Sequence, residues 1–92
     1  MRRAAKVDGN HGQIVSALRK AGIAVKSLAQ VGGGLPDLLA AFRGRTVLLE
    51  VKLPGEKLNQ MQQEFHATWP GVVKVVTTPE EAVLAVVEAA RG

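Results

Sequence analysis

Apolar residues recur along this chain with two periods. Between Asn10 and Ala21 they fall three and four apart, at Ile14, Val15, Leu18 and Ala21, with Arg19 and Lys20 on the other side. That spacing predicts an amphipathic helix, capped by Asp8 or Asn10 and stopped by Gly22. Ile23 to Leu28, with Val25 and Leu28 apolar, alternates imperfectly and predicts a short first strand at a sheet edge. Pro36 to Phe42 and Thr46 to Lys52 are apolar runs of strand length around a short turn containing Gly44, the signature of an antiparallel hairpin. Asn59 then caps a second helix reaching about Trp69, and its Met61, Phe65 and Thr68 or Trp69 make a face expected to pack on the sheet. Gly71 breaks that helix, and the β-branched run Val72 to Val76 is expected beside the hairpin. Thr78, Pro79 and Glu81 open a third helix to about Ala90, with Val83, Leu84, Val86 and Val87 at core spacing. The predicted order is αβββαβα: an α/β domain of two or three layers around a small four-stranded mixed sheet.

Composition narrows this picture. A chain of 92 residues has room for a single domain, spanning 1–92, with one modest core. Hydrophobic residues make up 47% but aromatics only 3%, so the core is built from Val, Leu, Ile and Ala. Absence of cysteine excludes disulfides and zinc–thiolate sites and agrees with a reducing compartment. The start, with Arg2, Arg3 and Lys6, lacks the apolar stretch of a signal peptide and reads as a mobile basic tail over residues 1–8. No run approaches membrane-spanning length, so the expectation is a cytoplasmic protein with no membrane partner. Net charge is +4, which suits a polyanionic partner and serves solubility equally well.

Candidate chemistry is concentrated between Gly32 and Lys52. Asp37, Glu50 and Lys52 interrupt strands that otherwise read as buried, and buried strands accept charges only when these are paired or bind a metal. Side chains alternate along a strand, so Glu50 and Lys52 share a face with Leu48, opposite Val47, Leu49 and Val51. Antiparallel pairing brings Asp37, at the start of one strand, near Glu50, at the end of the other. Two carboxylates suit a hard divalent cation such as Mg2+, and a neighbouring lysine could orient water and offset charge on a phosphoryl group. The plainer alternative makes Asp37 a turn residue and Glu50 and Lys52 a surface ion pair. Gly32, Gly33 and Gly34 either cradle phosphate or merely connect, and no Lys-Ser or Lys-Thr pair follows to make a nucleotide-binding loop. Lys57, in the loop after the hairpin, is a further candidate phosphate contact.

Pro36, Asp37, Glu50, Val51 and Lys52 match the PD-(D/E)XK nuclease signature, and GGGLPDLLAAFRGRTVLLEVK followed by LNQMQQEFHATWPG resembles the small VRR-NUC (virus-type replication-repair nuclease) domains. The resemblance covers nearly all of the chain. It implies a restriction-endonuclease-like fold and a Mg2+- or Mn2+-dependent DNA endonuclease related to Holliday-junction resolvases. It further implies Asp37, Glu50 and the Val51 backbone carbonyl as metal ligands, Lys52 as the catalytic lysine, and Gln62 in a supporting role near it. The family's acidic or amide residue on the first helix falls among His11 and Gln13 here, either of which could hold a metal-bound water. His66 is expected to be structural, and Trp69 to be core or interface. Branched DNA and a homodimer are the implied partners. A binding module of the same fold without cleavage activity is the alternative, and a small interaction domain a blander third.

Overall fold

The computed structural model describes residues 9–92; the basic tail expected over residues 1–8 and the Asp8 cap lie outside the described residues. The elements are α1 (His11–Lys20), β1 (Ala24–Ser27), β2 (Leu38–Phe42), β3 (Arg45–Val51), α2 (Gln60–Thr68), β4 (Val73–Val76) and α3 (Pro79–Arg91). They follow the predicted order around one four-stranded sheet, β1-β2-β3-β4. The first three strands form an antiparallel meander, and β4 lies parallel to β3 on the far edge, reached through the α2 crossover. The result is a small α/β fold of the restriction-endonuclease type, with a mixed sheet flanked by helices.

Local chemistry sets the element ends. Ile23 donates its N–H to Leu18 O (3.0 Å) and Gly22 donates to Arg19 O (3.0 Å), with Gly22 at φ +81. This is a Schellman stop, completed by the buried Leu18 and Ile23 side chains. The hairpin closes with Phe42 paired to Arg45, and both turn residues, Arg43 and Gly44, have positive φ, the sign pattern of a type I′ turn. Thr78 caps α3 by accepting from Glu81 N (3.1 Å), with Pro79 inside the first turn.

One face of the sheet carries the core. Val25, Leu38, Ala40, Val47, Leu49, Val51 and Val76 pack beneath Ile14 and Leu18 of α1 and Ala82 and Val86 of α3. On α3 the buried pair lies four apart, which leaves Leu84, expected in the core, 55% exposed. The opposite face departs further from expectation. α2 buries no residue fully, and Met61, expected to pack on the sheet, is 55% exposed, with Trp69 at 44%. Phe65 and Trp69 stack on each other, with ring centroids 5.0 Å apart. The side of α2 turned to the sheet is its polar stripe. The cause lies beneath it: strand alternation sends Glu50 to this face, and a buried carboxylate requires polar neighbours.

Candidate active site

The hairpin assembles the first part of the site. Leu38 pairs with Leu49, and continuing that register by one residue sets Asp37, just ahead of β2, opposite Glu50. Two hydrogen bonds hold Asp37 there. Its main-chain oxygen accepts from Leu28 N (2.7 Å), extending the β1–β2 pairing, and its carboxylate Oδ2 accepts from Val51 N (2.8 Å). An aspartate bonded to the amide that follows Glu50 is fixed against β3 and is not a free turn residue.

Glu50 is 1% exposed. A carboxylate so enclosed needs donors, and α2 brings two side chains to it. Gln62 Nε2 donates to Oε2 at 3.2 Å, and His66 Nε2 stands 3.5 Å from Oε1. The orientation of Gln62 follows from the start of the helix. Asn59 Oδ1 accepts from Gln62 N (2.9 Å), while Gln62 Oε1 accepts from Asn59 N (2.9 Å), a reciprocal capping box. With its oxygen committed to the cap, the Gln62 amide has only its NH2 to turn toward Glu50. Burial lowers the His66 pKa, since desolvation disfavours the imidazolium.

Lys52 follows one residue after β3, half-buried, its N–H donating to Val76 O (3.0 Å). Its carbonyl accepts from Asn10 Nδ2 (3.1 Å), and the same Asn10 nitrogen donates to Thr77 O (2.7 Å). Asn10 occupies the N-cap position of α1 but makes no side-chain cap. It staples the helix start to the ends of β3 and β4. Gly34, at φ +84, lies so close to α2 that a Cβ there would meet Met61 O at 2.7 Å. The glycine loop thus braces α2 over Glu50.

No protein-family model matches the chain, and no curated protein does. Among solved structures, one described as a "VRR_NUC domain" aligns with TM-score 0.65 and 25% identity, covering 82% of this chain and 91% of that one. The fold of this chain is that of a VRR_NUC domain. The match spans most of both chains and supports a nuclease-family fold.

The predicted site residues divide into two groups. Asp37, Glu50, Val51, Lys52 and Gln62 gather at one end of the β2–β3 hairpin. His11 and Gln13 do not join them by any hydrogen bond among the described residues. His11 lines a hollow between α1 and β1 with Val15, Arg19 and Ser27, its Nδ1 buried without a partner, while the exposed Gln13 faces a hollow shared with Lys20 and Pro79. The α1-side residue that reaches β3 is Asn10. Its Asp-Gly-Asn context before the helix reads as a cap, and only the folded chain shows the amide turned inward. Lys57 is exposed. Among the described residues no group of three His, Cys, Asp or Glu side chains converges as a metal cage. Two carboxylates and a main-chain carbonyl, completed by water, fit Mg2+ or Mn2+, which commonly keep several waters, better than a closed zinc site.

Proposed function

We propose that this VRR_NUC domain is a divalent-metal-dependent DNA endonuclease. The observation carrying this is the coupling of Asp37 to β3 beside Glu50: Oδ2 accepts from Val51 N at 2.8 Å, next to a carboxylate 1% exposed. Asp37 and Glu50, with the Val51 carbonyl, would hold Mg2+ or Mn2+. The cation would polarise a phosphoryl oxygen and lower the pKa of a nearby water. Lys52 orients the attacking water and offsets negative charge gathering on the phosphoryl group. Water oxygen bonds to phosphorus, one P–O ester bond breaks, and the departing oxygen takes up a proton. Gln62 holds Glu50 in place from α2.

Branched DNA of the four-way-junction type is the proposed substrate, cut by a homodimer, because paired symmetric cuts suit a two-fold assembly. Exposed Trp69, Val72 and Val75 offer apolar surface for such a pairing, and the net charge of +4 favours DNA. Among the described residues no helix is long and apolar enough to cross a membrane. One feature favours the alternative of a DNA-binding module without cleavage: α2 encloses Glu50, and none of the residues of α1 carries a carboxylate.

The test is cleavage of a synthetic four-way junction and of linear duplex with Mg2+, Mn2+ or chelator, using wild type and Glu50→Gln. Metal-dependent cutting that disappears in Glu50→Gln supports the nuclease, and preference for the junction supports the branched substrate. Junction binding without cutting by wild type assigns the chain to the binding module.

A further inference from the structure

Gln62 and His66 lie one helical turn apart on α2 and therefore share a face. Each addresses a different oxygen of Glu50. Gln62 donates to Oε2 at 3.2 Å, and His66 Nε2 lies 3.5 Å from Oε1. His66 Nε2 is buried and has no hydrogen-bond partner. A buried ring nitrogen without a partner is costly, and Oε1 is the acceptor in front of it. A shift of roughly half an ångström brings the pair into hydrogen-bond range. The Phe65 ring meets the imidazole edge-on, at 6.5 Å and 72°. Imidazole can donate while uncharged, unlike lysine or arginine, so it orients a carboxylate without cancelling the negative charge that a cation requires.

We propose that His66 is a positioning residue for Glu50: its Nε2–H fixes Oε1 while Gln62 fixes Oε2, so the carboxylate is held in the orientation in which, beside Asp37, it meets a divalent cation. This deepens the nuclease reading above and rests on it. The role differs from packing because it acts through one hydrogen bond, and an amide of the right reach can replace that bond.

The experiment is titration of the purified protein with Mn2+, without DNA, following the loss of the free-ion signal by electron paramagnetic resonance. The proteins are wild type, Glu50→Gln, His66→Leu, His66→Asn and His66→Gln, each checked for folding by circular dichroism. Wild type binds and Glu50→Gln does not. His66→Leu weakens binding roughly 10-fold or more, the scale for losing a partner behind a metal ligand. His66→Gln, whose amide reaches Oε1, restores it to within about 3-fold on the same scale. His66→Asn, whose shorter amide falls short, behaves like His66→Leu and replaces it if the leucine variant does not fold. Wild-type affinity in a folded His66→Leu or His66→Asn protein, or weak binding by folded His66→Gln, overturns the positioning role alone. Failure of wild type to bind Mn2+, or undiminished binding by Glu50→Gln, overturns the metal-dependent reading and this inference with it.

Discussion

Gly34→Ala tests whether the glycine loop carries α2. Two costs add at this position. The native φ of +84 lies in the left-handed region, where a Cβ costs roughly 1–2 kcal/mol. That Cβ would also stand 2.7 Å from Met61 O, 2.8 Å from Met61 C and 3.0 Å from Met61 Cβ, so helix backbone, not a flexible side-chain end, has to move. Overpacking of this kind costs roughly 1–3 kcal/mol more. Gly33→Ala isolates the second cost, because Gly33 has φ +71 but nothing within 4 Å of the place its methyl group would take. Both variants bear the backbone penalty, and only Gly34→Ala meets α2. Thermal unfolding followed by circular dichroism should place Gly34→Ala below Gly33→Ala by at least about 4 °C, given roughly 4–8 °C per kcal/mol for a domain of this size. Because α2 has no fully buried residue, the displaced helix should also draw Gln62 and His66 away from Glu50 and weaken Mn2+ binding. Equal melting temperatures and equal Mn2+ affinity for the two variants would refute the bracing role.

Two further outcomes follow from single side chains. Asn10→Ala removes both donors to Lys52 O and Thr77 O and leaves two part-buried carbonyls without them, a loss of about 2–3 kcal/mol in urea unfolding; Asn10→Asp, which cannot donate, should not restore it, and full stability in either variant would contradict the staple. Glu81 accepts from Thr77 N (2.7 Å) and Thr77 Oγ1 (2.9 Å), chiefly the backbone bond, and this holds its pKa below the ordinary glutamate value. Its stabilising contribution is therefore complete above the ordinary value and is lost as pH falls through the lowered one. The melting-temperature gap between wild type and Glu81→Gln should be present at pH 7 and shrink as pH falls below the ordinary carboxylate range; a gap that stays constant as the pH is lowered would show that the carboxylate charge is irrelevant there.

Much of the fold was legible because local rules and tertiary packing agree. The i, i+4 pair of Ile14 and Leu18, the Arg43-Gly44 turn and the Thr78-Pro79 start each encode their element through contacts close in sequence. The charged residues of the hairpin were legible for the same reason. Strand alternation alone turns Glu50 away from the core face of Val47, Leu49 and Val51, and hairpin pairing alone sets Asp37 opposite it. Asn59 and Gln62 carry a local signal of the same kind: they stand at capping-box spacing, which commits the Gln62 oxygen to the helix start and leaves its NH2 to donate elsewhere.

Other features required the folded chain. Periodicity on α2 marks Met61, Phe65 and Trp69 as the inward face, yet which face turns in depends on what the sheet presents, and here it presents a buried carboxylate. His66 consequently passes from an ordinary polar position to one 3.5 Å from Glu50. Asn10 sits where a cap belongs, and no local rule predicts that its amide crosses to Lys52 and Thr77, far along the chain. The sequence by itself determined the elements, their order and the acidic–basic signature, since these depend on periods of two and 3.6 and on turns a few residues long. Tertiary structure alone decided which polar groups enclose Glu50 and which residue secures Lys52, because the energy of a buried charge depends on partners that only packing brings within hydrogen-bond distance.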